Sequence, residues 1–485
     1  MIDKAAALHV ANRLGLGPAP GDLERIAATG FEEWLERQLH PQPSQLPESV
    51  RSVLRTLPSF GKDCATLYAE YDWRAQTPDP KSLPKEQKKE FKKREKRVTR
   101  EAQAARLARA VASPWQLQEA LVDFWFNHFN VYEKKGAIKI WVGAYEEEAI
   151  RPHVLGRFSD LLLATAKHPA MLVYLDSARN VAPKPDFARG GMGAAPKGKR
   201  ARGINENYAR EVMELHTLGV DGGYTQADVV SLAHILTGWT VGPGADAETM
   251  AAVDRYKNKG GFLFAPHRHD SSPEKLLGQM FSGDSEREGE AALLMLASHP
   301  ATAHHISFQL AQYFVADDPD AALVNGMAKT FRGTGGDLRA VLKTMLSDRR
   351  FMEPKNFGIK FKTPYRYVVS VARASDMSPS GVQPLNAVLE DLGQPIYGCI
   401  SPDGYACTQS AWLDPNGLLR RLAFAMRFGA GEYGPGNDNL DPINPRPLQE
   451  MLEPVLSSTT LSALARLPRE KQAGAILGSP EFMRC

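Results

Sequence analysis

Apolar side chains recur three or four positions apart along most of the chain, which is the spacing of one helix face. The clearest case begins near Trp115 and ends near residue 130, where Phe124, Trp125 and Phe129 fall at helical spacing. Strand patterns are rare, and residues 262–264 are one short candidate. The pattern predicts an all-α fold, a large multi-helix, bundle-like body with long irregular loops and little or no sheet.

The sharpest local pattern lies in residues 205–239, which we call the signature segment. Its first helix is predicted to place four polar side chains on one face. These side chains are Asn207, Arg210, Glu211 and Glu214. A glycine-containing turn follows, and Thr225 with Asp228 predicts a capping box at the start of a second helix. Carboxylates one turn apart can share acid/base work or bind metal, whereas arginine at four-residue spacing also predicts a structural ion-pair ladder.

Charge is nearly balanced over the 485 residues, with a formal net charge of +3, but its distribution is uneven. Residues 81–100 contain ten basic and three acidic side chains. The predicted helix over residues 85–112 is therefore either a solvated arm or an arm that contacts a protein partner or an anionic surface. The overall balance, and the sparse aromatic side chains of this helix, disfavour nucleic acid as a partner.

The apolar runs and the cysteines of the chain bear on its cellular location. The first fifteen residues read as an amphipathic helix rather than a signal peptide, and no apolar run is long enough to span a membrane. Four cysteines without a Cys-x-x-Cys pair indicate free thiols in a reducing compartment. These features predict a cytoplasmic protein, although Cys399 and Cys407 are close enough in sequence to pair if the chain is exported.

Proline- and glycine-rich stretches suggest four consecutive parts. They are an N-terminal helical segment (1–60), a helical arm with the charged helix (61–112), a central helical core (113–375) and a C-terminal helical segment that packs on the core (376–485). Within the core, residues 180–203 are rich in glycine, proline and basic side chains, which predicts a flexible loop. A loop of this length is either disordered or a lid over a site.

Several spaced motifs resemble the DUF1800 family, a bacterial family without an assigned function. They occupy residues 12–18, 124–129, 205–220, 224–229, 236–239, 269–278, 299–303, 362–364, 392–395 and 479–482. The resemblance covers most of the chain, and it implies membership of the family rather than a particular activity. One departure is Phe126, which stands where the family often has the first histidine of a His-Asn-His motif. A metal site that needs both histidines would be incomplete here.

We expect these motifs to meet in a polar centre. The candidate catalytic residues are Glu211, Glu214, Arg210, His128 and His269. The candidate substrate-binding residues are Asn205, Asn207, Trp125, Asn127 and Lys275, and Glu206 completes the charged ladder. The candidate metal ligands are His267, His269 and Asp270, because imidazole and carboxylate groups suit Zn, Fe or Mn. A divalent metal ion and a metal-free site both remain open.

Two functions fit this centre. The first is a hydrolytic or redox enzyme in which Glu211 or Glu214 is the base and Arg210 orients an anionic group. In that enzyme His128 and His269 are metal ligands or proton carriers. The second is a non-catalytic helical binding or scaffold protein, in which the same polar cluster is structural. No Walker loop, nucleophile elbow or zincin motif occurs in the sequence, which disfavours the standard nucleotide-binding, serine hydrolase and zincin mechanisms.

Overall fold

The computed structural model describes residues 2–76, 83–183, 204–242, 261–283, 285–433 and 441–485. It is 61% helical, and its described residues form 24 α-helices and two small antiparallel hairpins. The predicted all-α class is therefore confirmed. Most of the proposed flexible loop, residues 184–203, lies outside the described residues.

The helices follow one another through short turns. They are α1 Lys4–Arg13, α2 Asp22–Thr29, α3 Phe31–Leu39, α4 Glu48–Arg55, α5 Cys64–Tyr71, α6 Trp73–Gln76, α7 Lys85–Ala112, α8 Gln116–His128, α9 Ile138–Tyr145, α10 Phe158–Lys167, α11 Pro169–Tyr174, α12 Asn207–Glu211, α13 Gln226–Ile235, α14 Glu286–Ser298, α15 Pro300–Phe314, α16 Ala321–Gly333, α17 Leu338–Leu346, α18 Pro364–Ala374, α19 Leu385–Asp391, α20 Gln409–Trp412, α21 Pro415–Gly429, α22 Pro445–Leu452, α23 Ser458–Leu464 and α24 Arg469–Leu477. Two π-helical segments, π1 Glu146–Ile150 and π2 Val212–His216, continue α9 and α12.

The strands form two hairpins beside α13. They are β1 Trp239–Val241 with β2 Phe262–Phe264, and β3 Glu274–Leu276 with β4 Gln279–Phe281. The first pair confirms the short strand predicted at residues 262–264. Trp239 pairs with Phe264 in this hairpin and is completely buried. The hairpins therefore cover one end of the signature segment rather than building a sheet core.

Helix α18 lies at the centre of the packing, because every one of its residues is buried. Thr363 caps it and Pro364 occupies its first turn, as the sequence predicts. Its two arginines reach outward to backbone carbonyls of other segments. Arg366 donates to the carbonyl of Asn12, and Arg373 donates to the carbonyls of Gly17 and Val111. Buried charge thus links the central helix to the ends of α1 and α7.

The charge of helix α7 predicted an arm in solvent, but the second half of this helix is buried. Its first ten residues are mostly exposed. From Glu95 onward buried and exposed side chains alternate, and the side chains up to Val111 are then continuously buried. The second half packs against α9 and α18. The solvated-arm interpretation is wrong for this half, because small apolar residues such as Ala104 and Ala108 allow close packing while arginines pair inside the protein.

Buried ion pairs connect α7 and α8 to π1. Arg106 pairs with Asp123 at 2.7 Å and with Glu146 at 3.1 Å. On the other side of Glu146, Arg151 is 3.1 Å from that carboxylate and 3.0 Å from Glu119. All these side chains are nearly inaccessible to water, so the network is part of the core.

The capping residues in the sequence predicted one helix start correctly and placed another a few residues too early. Thr225 and Asp228 form the predicted capping box of α13. The expected start at Ser113 is shifted, because the Ser113 hydroxyl accepts a hydrogen bond from the backbone N–H of Trp115 and the helix begins only at Gln116. Ser113 therefore shapes the turn that precedes α8.

The structure also bears on cysteine pairing and on membrane insertion. All four cysteines are free thiols, so Cys399 and Cys407 are not joined. Among the helices of the described ranges, none combines the length and the apolar character needed to cross a bilayer.

Candidate functional site

The first half of the signature segment begins as the α-helix α12, widens into the π-turn π2 and ends at a tight turn. The change leaves carbonyl groups at its end without helical partners. Side chains from elsewhere satisfy them. The ring nitrogen Nε2 of His128 lies 3.2 Å from the carbonyl oxygen of His216, and Nε2 of His305 lies 3.2 Å from that of Leu215. Because a carbonyl only accepts, each imidazole carries its proton on Nε2 and donates it there.

Three histidines therefore meet at the end of π2, namely His128, His216 and His305. Burial, reinforced by the neighbouring rings, holds the pKa of His128 well below 6.5. Burial likewise lowers the pKa of His216 to about 3, and His305 shifts in the same direction. All three rings are neutral near pH 7, which suits hydrogen bonding but not proton exchange at that pH.

The predicted charged ladder is present on α12 and π2 as a partly buried cluster. The Arg210 guanidinium lies 3.0 Å from Glu206 and 3.3 Å from Glu214, and it donates to the side-chain oxygen of Gln226 at 2.8 Å. The side chains of Arg210, Glu206 and Glu214 are 37%, 38% and 27% exposed. Arg210 is thus shared between two carboxylates and held across to α13.

Glu211 has a different environment from its charged neighbours. Its side chain is half-buried, and within the described residues it has neither a hydrogen bond nor an ion pair. Burial raises the pKa of its carboxyl group, and the charges of Glu214 and Asp403 add to that shift while Arg210 opposes it. An unpaired carboxyl group with a raised pKa is the arrangement expected of a general acid or base.

A cavity of about 170 Å³ lies between α8, α15 and the loop before α20. Its lining combines aromatic and polar side chains. These are Phe124, Asn127, His128, Leu215, Gln309, Gln312, Tyr313, Asp403, Tyr405, Ala406 and Cys407. Asn127 fixes one wall, because its side-chain amide donates to the carbonyl of Tyr405 at 2.8 Å and accepts from the backbone N–H of Tyr405 at 2.7 Å.

Two links connect Glu211 with this cavity. Leu215 lines the cavity and lies one turn beyond Glu211 on the same segment. Asp403 also lines it, and the charge of Asp403 acts on the Glu211 carboxyl group. The predicted residues Glu211, Asn127 and His128 are therefore brought to one region of the molecule.

The other predicted polar residues of this region have mainly structural contacts. The side-chain amides of Asn205 and Asn207 donate to the carbonyls of Asp176 and Leu175, at 3.5 and 3.3 Å. These bonds join the start of α12 to the end of α11. Trp125 is fully buried against His128, and its indole N–H has no hydrogen-bond partner within the described residues.

The candidate metal ligands near β2 do not converge. Nδ1 of His269 donates to the carbonyl of Thr237 at 2.9 Å, while Asp270 faces Nδ1 of His234 at 2.6 Å. His267 and Lys275 are exposed. His267, His269 and Asp270 do not bring three donor atoms within 4.8 Å of one another. In the part of the chain that the structure describes, such a group is formed instead by Cys64, Glu148 and His168.

The chain belongs to the family described as "Protein of unknown function (DUF1800)", whose model matches residues 9–484. No curated protein and no solved structure matched the chain. The resemblance that the motifs suggested is therefore confirmed over nearly the whole length, without an activity attached to it.

Sequence reasoning did not place several residues of this region. His216 and His305 join His128 only because α8 and α15 pack against the signature segment, and the sequence carries no signal for that packing. Asp403 comes from an irregular loop whose path a helical pattern cannot predict. The one available signal was the unusual density of ionisable residues in 205–216.

Proposed function

We propose that this protein is a hydrolytic enzyme in which Glu211 acts as the general base and acid beside the cavity lined by Asn127 and His128. The observation that carries the proposal is the state of Glu211. It is a half-buried carboxyl group with a raised pKa and without a partner in the described residues. Leaving such a group unpaired costs stability, so its position favours a role in chemistry over a role in folding.

The charged groups around Glu211 indicate which charge its substrate carries. Arg210 is already shared by Glu206 and Glu214, so little of its positive charge remains for an anionic substrate. Asp403 and Glu214 add negative charge near Glu211. A neutral or cationic substrate fits this field better than the anionic group suggested by Arg210 in the sequence.

The cavity supports a hydrolytic rather than a redox reaction. Gln309 and Gln312 offer amide groups that can bind a carbonyl or ester oxygen, and neutral His128 forms part of the wall. Burial raises the pKa of the Cys407 thiol, which disfavours a thiolate there. Glu211 can take a proton from water and return it without an electron carrier. Hydrolysis is therefore the simpler chemistry for Glu211 and the residues that line the cavity.

A non-catalytic scaffold is the second candidate, and one observation favours it. Most of the predicted catalytic and binding residues are engaged in structural hydrogen bonds, notably Arg210, His128 and Asn127. In that case Glu211 contributes only charge to a surface that binds a partner. The two functions differ in what happens when the Glu211 carboxyl group is replaced by an amide.

The test incubates the 485-residue chain with p-nitrophenyl acetate, p-nitrophenyl phosphate and lysine p-nitroanilide and measures the turnover of each. These probes represent ester, phosphoester and cationic amide substrates. We expect turnover of an ester or amide, and Glu211→Gln should lower kcat/KM by about 10²–10⁴-fold and remove the acidic limb of the pH–rate profile.

Glu33→Gln is the matched control, because Glu33 is an exposed helical glutamate. It should leave turnover unchanged. Equal turnover by Glu211→Gln and the wild type would contradict the proposal. The absence of turnover with all three probes would favour the scaffold.

A further inference from the structure

Three potential metal ligands from distant parts of the chain meet outside the Glu211 region. Cys64 is the first residue of α5, Glu148 lies in π1, and His168 precedes α11. The packing of α5 and α11 against α9, which π1 continues, brings them together. Nothing in the hydrolytic proposal uses them.

Two of the separations between these donor atoms match a zinc coordination shell. Nε2 of His168 lies 3.5 Å from Sγ of Cys64 and 3.5 Å from Oε2 of Glu148, and all three donors lie within 4.8 Å of one another. Zinc bonds of about 2.0–2.3 Å in a tetrahedron place neighbouring ligand atoms about 3.3–3.6 Å apart. The two separations from His168 already fit a zinc ion, and the separation between the Cys64 and Glu148 donor atoms, which is within 4.8 Å, is the one that zinc binding would adjust.

From this geometry we infer that Cys64, Glu148 and His168 bind one zinc ion, with a water molecule as the fourth ligand. Sulfur, imidazole nitrogen and carboxylate oxygen together suit zinc better than magnesium or calcium, which prefer oxygen alone. Cys64 and His168 are buried, whereas Glu148 is 38% exposed and gives the ion a path from solvent. Three protein ligands leave one coordination position open to solvent.

Zinc binding at this site has to displace a proton from the Cys64 thiol. Burial raises the pKa of the Cys64 thiol, and the charge of Glu148 adds to the shift, so the free thiol is protonated at neutral pH. Zinc binding replaces that proton with a sulfur–zinc bond and releases the proton to solvent. The ion also neutralises the thiolate and carboxylate charges that would otherwise be buried together.

His168 requires one further adjustment. Its Nδ1 accepts a hydrogen bond from the backbone N–H of Ala170 at 3.2 Å, which places the ring proton on Nε2. Coordination through Nε2 moves this proton to Nδ1, so the long contact with Ala170 is given up. One such hydrogen bond is a small loss against three bonds to a divalent ion.

The test loads the 485-residue chain with zinc, removes free metal by desalting and measures bound metal by elemental analysis. We expect about one zinc per chain, as for a single three-ligand site. Cobalt in place of zinc should give a thiolate-to-cobalt charge-transfer band in the near-ultraviolet spectrum of the wild type. That band reports the sulfur ligand without any substitution, so it stands even if a variant folds poorly.

Two variants and one control complete the test. Cys64→Ser should abolish the band, and the half-exposed Glu148→Gln should keep the fold while weakening zinc affinity by about tenfold or more. Cys399→Ser is the matched control, because Cys399 is buried but its thiol contacts a backbone carbonyl, that of Ser401. A folded wild type that retains no zinc, or equal zinc binding by Cys64→Ser and Cys399→Ser, would overturn the inference. Neither result affects the Glu211 proposal.

Discussion

Glu211 carries an ionisable carboxyl group in a half-buried position where no described residue pairs with it. Burial, Glu214 and Asp403 all favour its neutral form, so its pKa in the folded protein lies above 4.5. The Glu211 carboxyl group therefore ionises at a lower pH in the unfolded chain than in the folded protein. The folded state therefore binds more protons above pH 4.5, and this group makes the protein less stable as the pH rises through its folded pKa.

This sign predicts the effect of Glu211→Gln on stability. Glutamine has the same shape but does not ionise, so the variant should match the wild type near pH 4 and melt higher near pH 7. Because the site is half-exposed, we expect a Tm gain of the order of 1 °C in a chain of this size. Calorimetry across this pH range checks it. A lower Tm for the variant at pH 7 would show that the carboxylate supports the fold instead.

Asn127 is the second residue whose role can be separated from catalysis. Its side chain forms both hydrogen bonds to the backbone of Tyr405 and so holds the irregular loop against α8. Gly404 must approach it closely, since a Cβ there would lie 2.4 Å from the Asn127 carbonyl oxygen. The wall of the cavity therefore depends on one amide and one glycine.

We expect Asn127→Ala to cost about 1–3 kcal/mol in the free energy of unfolding, because both backbone groups of Tyr405 lose their partner. Asn127→Asp retains the acceptor for the Tyr405 N–H but sets a second oxygen against the Tyr405 carbonyl, so it should also lose stability at neutral pH. Urea-induced unfolding measures both values. Asn416→Ala, at an exposed helical asparagine, provides the comparison and should change stability little. A cost for Asn127→Ala no greater than that of the comparison would contradict the anchoring role.

At the scale of one element, π2 depends on side chains from other helices. His305 donates to the Leu215 carbonyl and His128 to the His216 carbonyl, while the Thr217 hydroxyl donates to the carbonyl of Val212. The widened turn would otherwise leave these buried acceptors unpaired. The π-turn and the histidines that cap it are therefore one structural unit.

Removing one cap should loosen this unit locally. We expect His305→Ala to destabilise the protein by about 1–3 kcal/mol and to speed amide hydrogen exchange in residues 212–218. His305→Gln retains a donor and should recover part of the protection. His304→Ala changes an exposed neighbour on the same helix and should leave exchange in 212–218 unchanged. Unaltered exchange in His305→Ala would show that water replaces the imidazole and that residues 212–218 keep their protection.

The same element shows which features a sequence can predict. The capping box of Thr225 and Asp228 and the start of α18 at Thr363 are fixed by neighbours within four residues, so the pattern located both. The raised pKa of Glu211 depends first on its burial by tertiary packing and, to a smaller extent, on where a loop some 190 residues later in the chain places Asp403. The pattern identified Glu211 as a candidate but could not separate it from Glu214, because only tertiary packing distinguishes them.

For the whole molecule, the buried ion-pair network explains how a strongly charged helix becomes part of the core. Arg106 of α7 faces Asp123 of α8 and Glu146 of π1. Burial alone would raise the pKa of Glu146, but Arg106 and Arg151 together lower it below its usual value. A lowered pKa adds stability above pH 4.5 that is lost as the pH falls through the folded value. The network therefore links the packing of three elements to pH.

Arg106→Ala tests this link. Removing one partner leaves buried carboxylates uncompensated, so we expect a loss of about 3–5 kcal/mol in the free energy of unfolding near pH 7. Without Arg106, burial should raise the pKa of Glu146, and the protonated carboxyl group is cheaper to bury. The difference between variant and wild type should therefore shrink as the pH approaches 4. Urea-induced unfolding at several pH values gives both quantities.

Arg97→Ala is the control for Arg106→Ala, because Arg97 lies on the same helix and pairs with Glu101 but is 61% exposed. Water screens this pair, so its loss should cost no more than about 1 kcal/mol. Equal costs for the two variants would mean that the buried charges contribute little beyond their packing. A loss for Arg106→Ala that does not depend on pH would show that Glu146 is not the group through which the network responds to acid.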